Sequence, residues 1–435
     1  MACLRQHGNA IIARIVGLLI LLGAMVTAQA QTFSVLHEFT GSVDGGNPYS
    51  SLVMDRSGSL YGVTPYGGHE TCETSNGIGC GVAFKLEPKS GGWLFYPLYA
   101  FNGHGDGANP AGNLAIAPNG VLFGTTDAGG IGSCRDSFGD GCGTVFLLRP
   151  PAALCRSLLC PWDETQLYRF TGGDDGNDPW AGAVLDQAGN VYGTNYAGGS
   201  SKWGVVFEVS PAGSGWTEAT IHTFTSGNDG ANPTTTPVFD GSGNLYGTTR
   251  VGGNCSAGGT GCGTVFQLTP SGSGWNENIV YNFSGSYGVP LGGLVLDPEG
   301  NIYGSASTPN TVFELSNLNG TWNATSLYSD LLVDLQSFRS TLARDAAGNL
   351  YGTSEFGGNT SATCVNGCGY VYKLTPSSDG WTFTELYEFT GGSDGALPIG
   401  GVVLDGTGNL YGTTYTGGTN ICGSQGCGVV WKISQ

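Results

Sequence analysis

The sequence predicts an all-β fold, a seven-bladed β-propeller with four antiparallel strands in each blade. Three observations predict it: a phrase that recurs seven times, four short strand segments in each repeat, and two chain ends that complement each other. The phrase ends in an aromatic residue before glycine, at Tyr61, Phe123, Tyr192, Tyr246, Tyr303, Tyr351 and Tyr411. Successive copies lie 48 to 69 residues apart, and repeats of this period indicate propellers, solenoids or arrays.

Repeat four shows the four segments. Apolar runs at 236–240 and 245–249 flank an Asp-Gly-Ser-Gly turn, and a third run at 264–269 follows a Gly-Gly loop. A fourth run begins at Trp275 and ends at Phe283. Four strands in each repeat are typical of a propeller blade, whereas the coils of a β-solenoid are shorter and would not contain four turn signals.

An acidic residue begins the turn between the first two strands in six repeats. These residues are Asp55, Asp186, Asp240, Asp297, Asp345 and Asp405. They could form a set of metal ligands. Asp at the start of a short turn also bonds its own backbone two residues ahead, and we therefore interpret the six as turn caps.

The chain ends predict how the ring closes. The last repeat stops after its third strand, near Trp431, and the segment 33–39 matches the fourth strand at 386–389. The N-terminal strand should therefore complete the last blade, which would leave no exposed sheet edge. We expect residues 31–435 to form a single propeller domain.

Residues 1–30 have the features of a secretory signal. Arg5 and Arg14 precede a short apolar run at 15–26, and Ala28-Gln29-Ala30 is a small-x-small cleavage site. We expect cleavage after Ala30 and a secreted or periplasmic protein. We expect no membrane span and no C-terminal anchor in the mature chain.

Twelve of the 13 cysteines follow the signal. They form six close pairs: Cys72/Cys80, Cys134/Cys142, Cys155/Cys160, Cys255/Cys262, Cys364/Cys368 and Cys422/Cys427. Five pairs occupy one place in the repeat, between the Gly-Gly and the third strand, and the remaining repeats lack both cysteines there. Pairs that are present or absent together predict disulfides in an oxidising compartment. Metal binding is the alternative, but zinc needs four ligands close together.

The formal charge of −18 disfavours nucleic acid or an anionic membrane surface as a partner. A cation, or a polysaccharide or cell-surface protein, suits this charge better. Acidic residues recur in the connections that lead from each blade to the next, within Asp-Gly-x-x-Pro: Asp44, Asp106, Asp175, Asp229 and Asp394. They share a face with the cysteine loops and could bind a cation or polyol at the mouth of the central channel. Alternatively, Asp-Gly before Pro simply forms a good turn.

Two repeats depart from this pattern. Pro309 replaces a glycine of the Gly-Gly in repeat five, and the segment 328–338 replaces the Asp-Gly connection before repeat six. Because a ligand site often needs an exception to symmetry, these departures could mark one. Drift in unused blades is the alternative.

No catalytic motif is found. The sequence lacks His-Glu-x-x-His and a phosphate-binding glycine loop, and no cofactor is predicted. Paired carboxylates for glycoside chemistry stay open, since sequence gives no distances. Two hypotheses follow. The first is an exported, non-catalytic binding scaffold for a glycan or protein, and the alternative is a secreted carbohydrate-active hydrolase or lyase working at the channel mouth.

The repeated phrase Asp-x-x-Gly-Asn-Leu-Tyr-Gly-Thr-Thr-x-x-Gly-Gly, followed by Gly-Thr-Val-Phe, resembles the bacterial Gloeo/Verruco tandem repeat of the choice-of-anchor GloVer-containing proteins. The resemblance covers nearly the whole mature chain. It implies an exported, repeat-built protein, often tethered to the cell surface by a C-terminal anchor, and it brings no established activity or catalytic residues. A looser likeness to other propellers with Asp-x-x-Gly-Asn turns, including lyases and sensor domains, is an analogy of fold.

Overall fold

The computed structural model describes residues 31–69, 72, 78–134, 140–151, 162–253, 262–272, 274–284, 288–307, 309–330, 338–419, 422 and 425–435. Within these ranges the chain forms thirty strands and no helix. No described segment is a helix that could cross a membrane.

The strands form seven antiparallel sheets, each a blade, in the order of the chain. The N-terminal strand is β1 (Thr32–Glu38), and blade one contains β2 (Val53–Met54), β3 (Leu60–Thr64), β4 (Val82–Lys89) and β5 (Gly92–Ala100). Blade two contains β6 (Ala115–Ile116), β7 (Leu122–Thr126), β8 (Thr144–Arg149) and β9 (Asp163–Arg169). Blade three contains β10 (Val184–Leu185), β11 (Val191–Asn195), β12 (Val205–Ala212) and β13 (Gly215–Thr223).

Blades four and five each have one extra short strand, formed by the connection that leads into the blade. Blade four contains β14 (Ala231–Pro233), β15 (Val238–Phe239), β16 (Leu245–Val251), β17 (Thr264–Ser271) and β18 (Gly274–Asn282). Blade five contains β19 (Val289–Pro290), β20 (Val295–Leu296), β21 (Ile302–Ser307), β22 (Asn310–Leu318) and β23 (Thr321–Asp330). Blade six contains β24 (Ala343–Arg344), β25 (Leu350–Ser354), β26 (Tyr370–Ser377) and β27 (Gly380–Glu388), and blade seven contains β28 (Val403–Leu404), β29 (Leu410–Thr414) and β30 (Val429–Ser434).

The predicted seven-bladed propeller is confirmed. The seventh sheet has the order β28-β29-β30-β1, so a strand from the N-terminal segment supplies its outer position. This pairing runs antiparallel from Thr32 opposite Ser434 to Glu38 opposite Val429. Phe33 of β1 stacks on Tyr387 of the preceding blade with ring centroids 3.9 Å apart.

The aromatic-glycine phrase has a packing cause. In every blade its glycine lies opposite a large aromatic residue of the third strand, such as Phe84 opposite Gly62. A Cβ on Gly62 would lie 2.6 Å from Cζ of Phe84, which is closer than real atoms approach. The glycine therefore makes room for a ring that is fully buried and central to its blade.

The six turn aspartates are caps, as the sequence predicted. Asp405 accepts hydrogen bonds from the backbone N–H groups of Thr407 (2.8 Å) and Asn409 (3.0 Å). Its second oxygen accepts the hydroxyl of Tyr411 at 3.0 Å. The Tyr hydroxyl thus joins the second strand to the turn. In blade seven the Tyr411 ring also packs against Trp93 of the next blade, with ring centroids 5.7 Å apart.

Candidate functional site

The cysteine loops and the inter-blade connections lie on one face of the ring. Gly103, in the connection from blade one to blade two, has φ +78°, and a Cβ there would lie 2.1 Å from Sγ of Cys72. In the same connection, the backbone N–H of Asn109 donates to the carbonyl of Cys80 at 2.8 Å. Each loop of this kind therefore supports the connection into the next blade.

Four of the predicted cysteine pairs are disulfides in the structure, and such bonds are typical of an oxidising compartment. They are Cys72–Cys80, Cys134–Cys142, Cys364–Cys368 and Cys422–Cys427. Cys262 is also disulfide-bonded. Its predicted partner, Cys255, and the predicted pair Cys155 and Cys160 lie outside the described residues.

The five connection aspartates are held by their own loops. Asp175 accepts hydrogen bonds from the backbone N–H (2.8 Å) and hydroxyl (2.6 Å) of Thr171 and from the hydroxyl of Tyr168 (3.1 Å). Asp44, Asp106 and Asp394 also bond both the outer strand and the loop. Asp229 accepts hydrogen bonds from Thr225 of its loop. All five are described, and none lines the central cavity. Their part in ligand binding stays a prediction.

Three of these aspartates face a glutamate of the following blade. Glu164, Glu218 and Glu277 occupy equivalent positions, two residues after the tryptophan that begins the outer strand. Burial raises the pKa of each to about 7, and the charge of the facing aspartate adds to the effect. At three other blade junctions an aromatic residue occupies the position of the glutamate and stacks on a ring of the preceding blade. One example is Phe95, whose ring centroid is 4.0 Å from that of His37.

A cavity of about 230 Å³ lies at the centre of the ring. Each blade contributes to its lining the residue directly after the proline of its connection, or the equivalent residue where the proline is missing. We call this set the mouth ring. It consists of Tyr49, Ala111, Trp180, Thr234, Leu291, Arg339 and Ile399. Tyr196 and Arg250, at the ends of second strands, extend the lining.

A second ring of small residues lies two positions further along each chain segment. It consists of Ser51, Asn113, Gly182, Thr236, Gly293, Thr341 and Gly401. Neighbouring blades are joined here: Gly401 N–H donates to Oγ of Ser51 (2.8 Å), and Ser51 N–H donates to Oδ1 of Asn113 (2.9 Å). These hydrogen bonds fix the backbone that carries the mouth ring.

The mouth-ring residue Tyr49 contacts two other mouth-ring side chains, each from a different blade. The ring centroids of Tyr49 and Trp180 are 5.7 Å apart with an interplanar angle of 62°. Nη2 of Arg339 donates to the hydroxyl oxygen of Tyr49 at 2.9 Å. Blades one, three and six thus share a preformed aromatic and cationic surface.

A buried carboxyl group holds this arginine. Nη1 of Arg339 lies 3.2 Å from Oε2 of Glu355, which is 8% exposed. Burial raises the pKa of Glu355, although the charge of Arg339 opposes this shift. Burial likewise raises the pKa of Tyr49, so its hydroxyl stays protonated at neutral pH.

The charge of the cavity is opposite to that of the protein. Within the described part of the chain, the charged side chains that line it are Arg250 and Arg339, in a protein with a formal charge of −18. No group of three or more His, Cys, Asp or Glu side chains among the described residues is placed to hold a metal ion.

The sequence did not single out the mouth ring. The sequence does contain a signal for it: the residue after the proline of the connection differs in every repeat, while the flanking residues recur. One hint did point here, because Arg339 directly follows the exceptional segment 328–338. Residues 331–337 of that segment lie outside the described residues.

These features define the chain as a seven-bladed β-propeller with a central cavity on its loop face. The chain belongs to the family of the Gloeobacter/Verrucomicrobia repeat, whose model matches residues 23–165 and 131–310. A search of curated proteins finds no match.

Two solved structures show a similar fold. Virginiamycin B lyase from Staphylococcus aureus is 11% identical with a TM-score of 0.53, and the match covers 93% of this chain and 99% of the lyase. A Bacteroides fragilis protein with a proposed 6-phosphogluconolactonase activity is 13% identical with a TM-score of 0.50, over 87% of this chain and 99% of that one. At these identities the likeness concerns the fold alone.

Proposed function

We propose that the protein is an exported, non-catalytic binding protein whose mouth ring takes one end or one unit of a glycan. The observation that carries this proposal is the mouth ring itself. Seven equivalent positions line one cavity and hold seven different residue types, while the turn and core positions recur from blade to blade. A symmetric scaffold that presents a single asymmetric surface is suited to recognition.

The chemistry of the cavity suits a sugar. Tyr49 and Trp180 offer apolar ring faces beside polar groups, and Thr236 adds a polar side chain to the lining. A volume of about 230 Å³ is below the roughly 300–1,000 Å³ of drug-sized ligand sites. The cavity would therefore hold a single sugar-sized group.

Two observations support binding over the hydrolase or lyase alternative. Glycoside hydrolysis usually needs two carboxyl groups that flank the scissile bond. Two residues that directly follow second strands carry carboxyl groups. They are Glu355, which is paired with Arg339, and Asp127, which is 2% exposed. Neither lines the cavity. In addition, the raised pKa of Tyr49 opposes a role as a general base.

Export is part of the proposal. The segment 1–30 would direct secretion and be cleaved after Ala30, leaving 31–435 as one propeller domain in the periplasm or outside the cell. The disulfides of the loop face support an oxidising destination.

The test is a panel of immobilised neutral and acidic oligosaccharides, probed with the disulfide-bonded mature protein and two tryptophan variants. Trp180→Ala removes a mouth-ring residue. Trp203→Ala is the matched control, since Trp203 is 41% exposed and does not line the cavity. We expect saturable binding that Trp180→Ala weakens about tenfold or more, the value of one lost aromatic contact, and that Trp203→Ala leaves unchanged. Equal effects of both variants, or no binding on the panel, would contradict the proposal.

A further inference from the structure

We propose that the ligand of the mouth ring is an acidic saccharide, whose carboxylate is bound by Arg250. This inference rests on the proposed glycan-binding function and specifies its ligand class. It begins from the charge of the cavity: within the described residues, arginine supplies all the charge that lines it, although acidic residues outnumber basic ones 33 to 15 in the chain.

The two arginines have different environments. Arg339 is already neutralised by Glu355 at 3.2 Å and donates to Tyr49 at 2.9 Å. It therefore orients the tyrosine and has little capacity for a second anion. Arg250 is exposed, and among the described residues no carboxylate lies within ion-pair distance of it. Its guanidinium is the charge available to a ligand.

A neighbouring hydroxyl group lacks a partner. Oγ1 of Thr234 has almost no contact with solvent and no hydrogen-bond partner, yet Thr234 lines the cavity. Buried hydroxyl groups are normally hydrogen-bonded, so rotation of the Thr234 side chain towards the cavity would let this oxygen bond a polar ligand atom.

Thr234 and Arg250 belong to the same part of blade four. In the pairing of β14 with β16, Pro233 lies opposite Thr249, and each of the two residues follows one member of that pair. Because the two strands are antiparallel, Thr234 and Arg250 lie diagonally across this pair, and one ligand can reach both.

Carboxylate is the anion that these groups suit best. The planar guanidinium matches a carboxylate with two parallel hydrogen bonds, and a sugar ring carrying that carboxylate could pack on Trp180 or Tyr196, which line the same cavity. A neutral sugar would leave the Arg250 charge without a partner. A uronate-containing oligosaccharide satisfies the cation, the hydroxyl group and the aromatic rings together.

The test compares trisaccharides of galacturonate, glucuronate and mannuronate with their methyl esters, which keep the ring stereochemistry and lose the charge. Binding is measured by calorimetry with the wild type, Arg250→Gln and Arg250→Lys. We expect at least one uronate to bind about 10- to 100-fold more tightly than its ester, the range of a charge-assisted pair. Arg250→Gln should abolish that preference and keep the weaker binding of the ester, and Arg250→Lys should retain part of it.

Three outcomes would overturn the inference. They are an ester that binds as tightly as its acid, a preference that survives Arg250→Gln, and the absence of binding by every uronate. If neutral oligosaccharides then bind in a manner that depends on Trp180, the proposed glycan-binding function stands and only the acidic ligand is refuted. If no oligosaccharide binds, both fall together.

Discussion

Replacing Glu164, Glu218 and Glu277 together by glutamine is expected to stabilise the protein at pH 8 and to change its stability much less at pH 5. Burial raises the pKa of each glutamate to about 7 from an ordinary 4.5. The folded state therefore binds more protons than the unfolded state between these values. Stability that is present below pH 4.5 is lost as the pH rises through 7, and glutamine, which does not ionise, avoids that loss.

The size of the effect follows from the shift in pKa. A shift from 4.5 to about 7 would correspond to roughly 3.4 kcal/mol for one fully buried group, at about 1.36 kcal/mol per pKa unit. The side chain of Glu277 is 18% exposed, and solvent screening reduces its contribution to about 1 kcal/mol. Three separate junctions should add, giving about 3 kcal/mol, or about 3–4 °C in Tm for a chain of this length.

A nearby histidine does not cancel this cost. Nε2 of His222 lies 3.4 Å from Oε1 of Glu277 and 4.0 Å from Oδ2 of Asp229. Burial lowers the pKa of His222, so the imidazole is neutral at pH 7 and supplies no compensating charge.

The assay is thermal unfolding of the wild type, the triple variant and a control, Glu299→Gln, whose glutamate lies on an exposed turn. We expect the triple variant to unfold about 3–4 °C above the wild type at pH 8, with a small difference at pH 5 and no effect of the control. A triple variant that is less stable than the wild type at pH 8, or equally stabilised at both pH values, would refute the reasoning.

Two further predictions concern the loop face. Leu397 has φ +56°, where the equivalent residues of four other blades are Asn or Asp. Because these residues tolerate the left-handed region better, Leu397→Asn should raise the free energy of unfolding by about 1 kcal/mol in urea titrations, and an unchanged or lower value would count against strain at this site. Replacing Cys422 and Cys427 by serine should lower the free energy of unfolding by about 2 kcal/mol, the chain entropy of a short closed loop. The deficit should disappear when the wild type and the variant are both measured in reducing buffer, where neither retains any disulfide, and a deficit that persists there would mean that the serines disturb the loop itself.

The blade count could be predicted because local chemistry fixes the repeat. Asp405 and Tyr411 are six residues apart and bond directly, so their spacing is visible in the sequence. Gly412 is required by a ring on the adjacent strand, Trp431, which follows within the same repeat. Contacts between residues of one blade therefore appear in the sequence as recurring motifs.

The cavity could not be predicted in the same way, because it depends on contacts between distant blades. Tyr49 and Arg339 are 290 residues apart in sequence, yet their side chains hydrogen-bond across the mouth. In the sequence, the connection aspartates recur in five repeats and therefore predict a ligand site more strongly than Arg339, which occurs in one. In the structure Asp175 and its equivalents hold their own loops, and the variable position beside them lines the cavity.

The location of the ligand is the central claim, and ¹⁹F NMR of protein labelled with 5-fluorotryptophan tests it most directly. The chain has nine tryptophans, and the Trp180 resonance can be assigned by its absence from the Trp180→Phe variant. On titration with the oligosaccharide that binds best on the panel, we predict a saturable shift of the Trp180 resonance, while tryptophans at blade junctions, such as Trp93 and Trp216, stay unchanged. A Trp180 resonance that does not move at saturating ligand, with shifts confined to the other tryptophans, would contradict a binding site at the mouth ring.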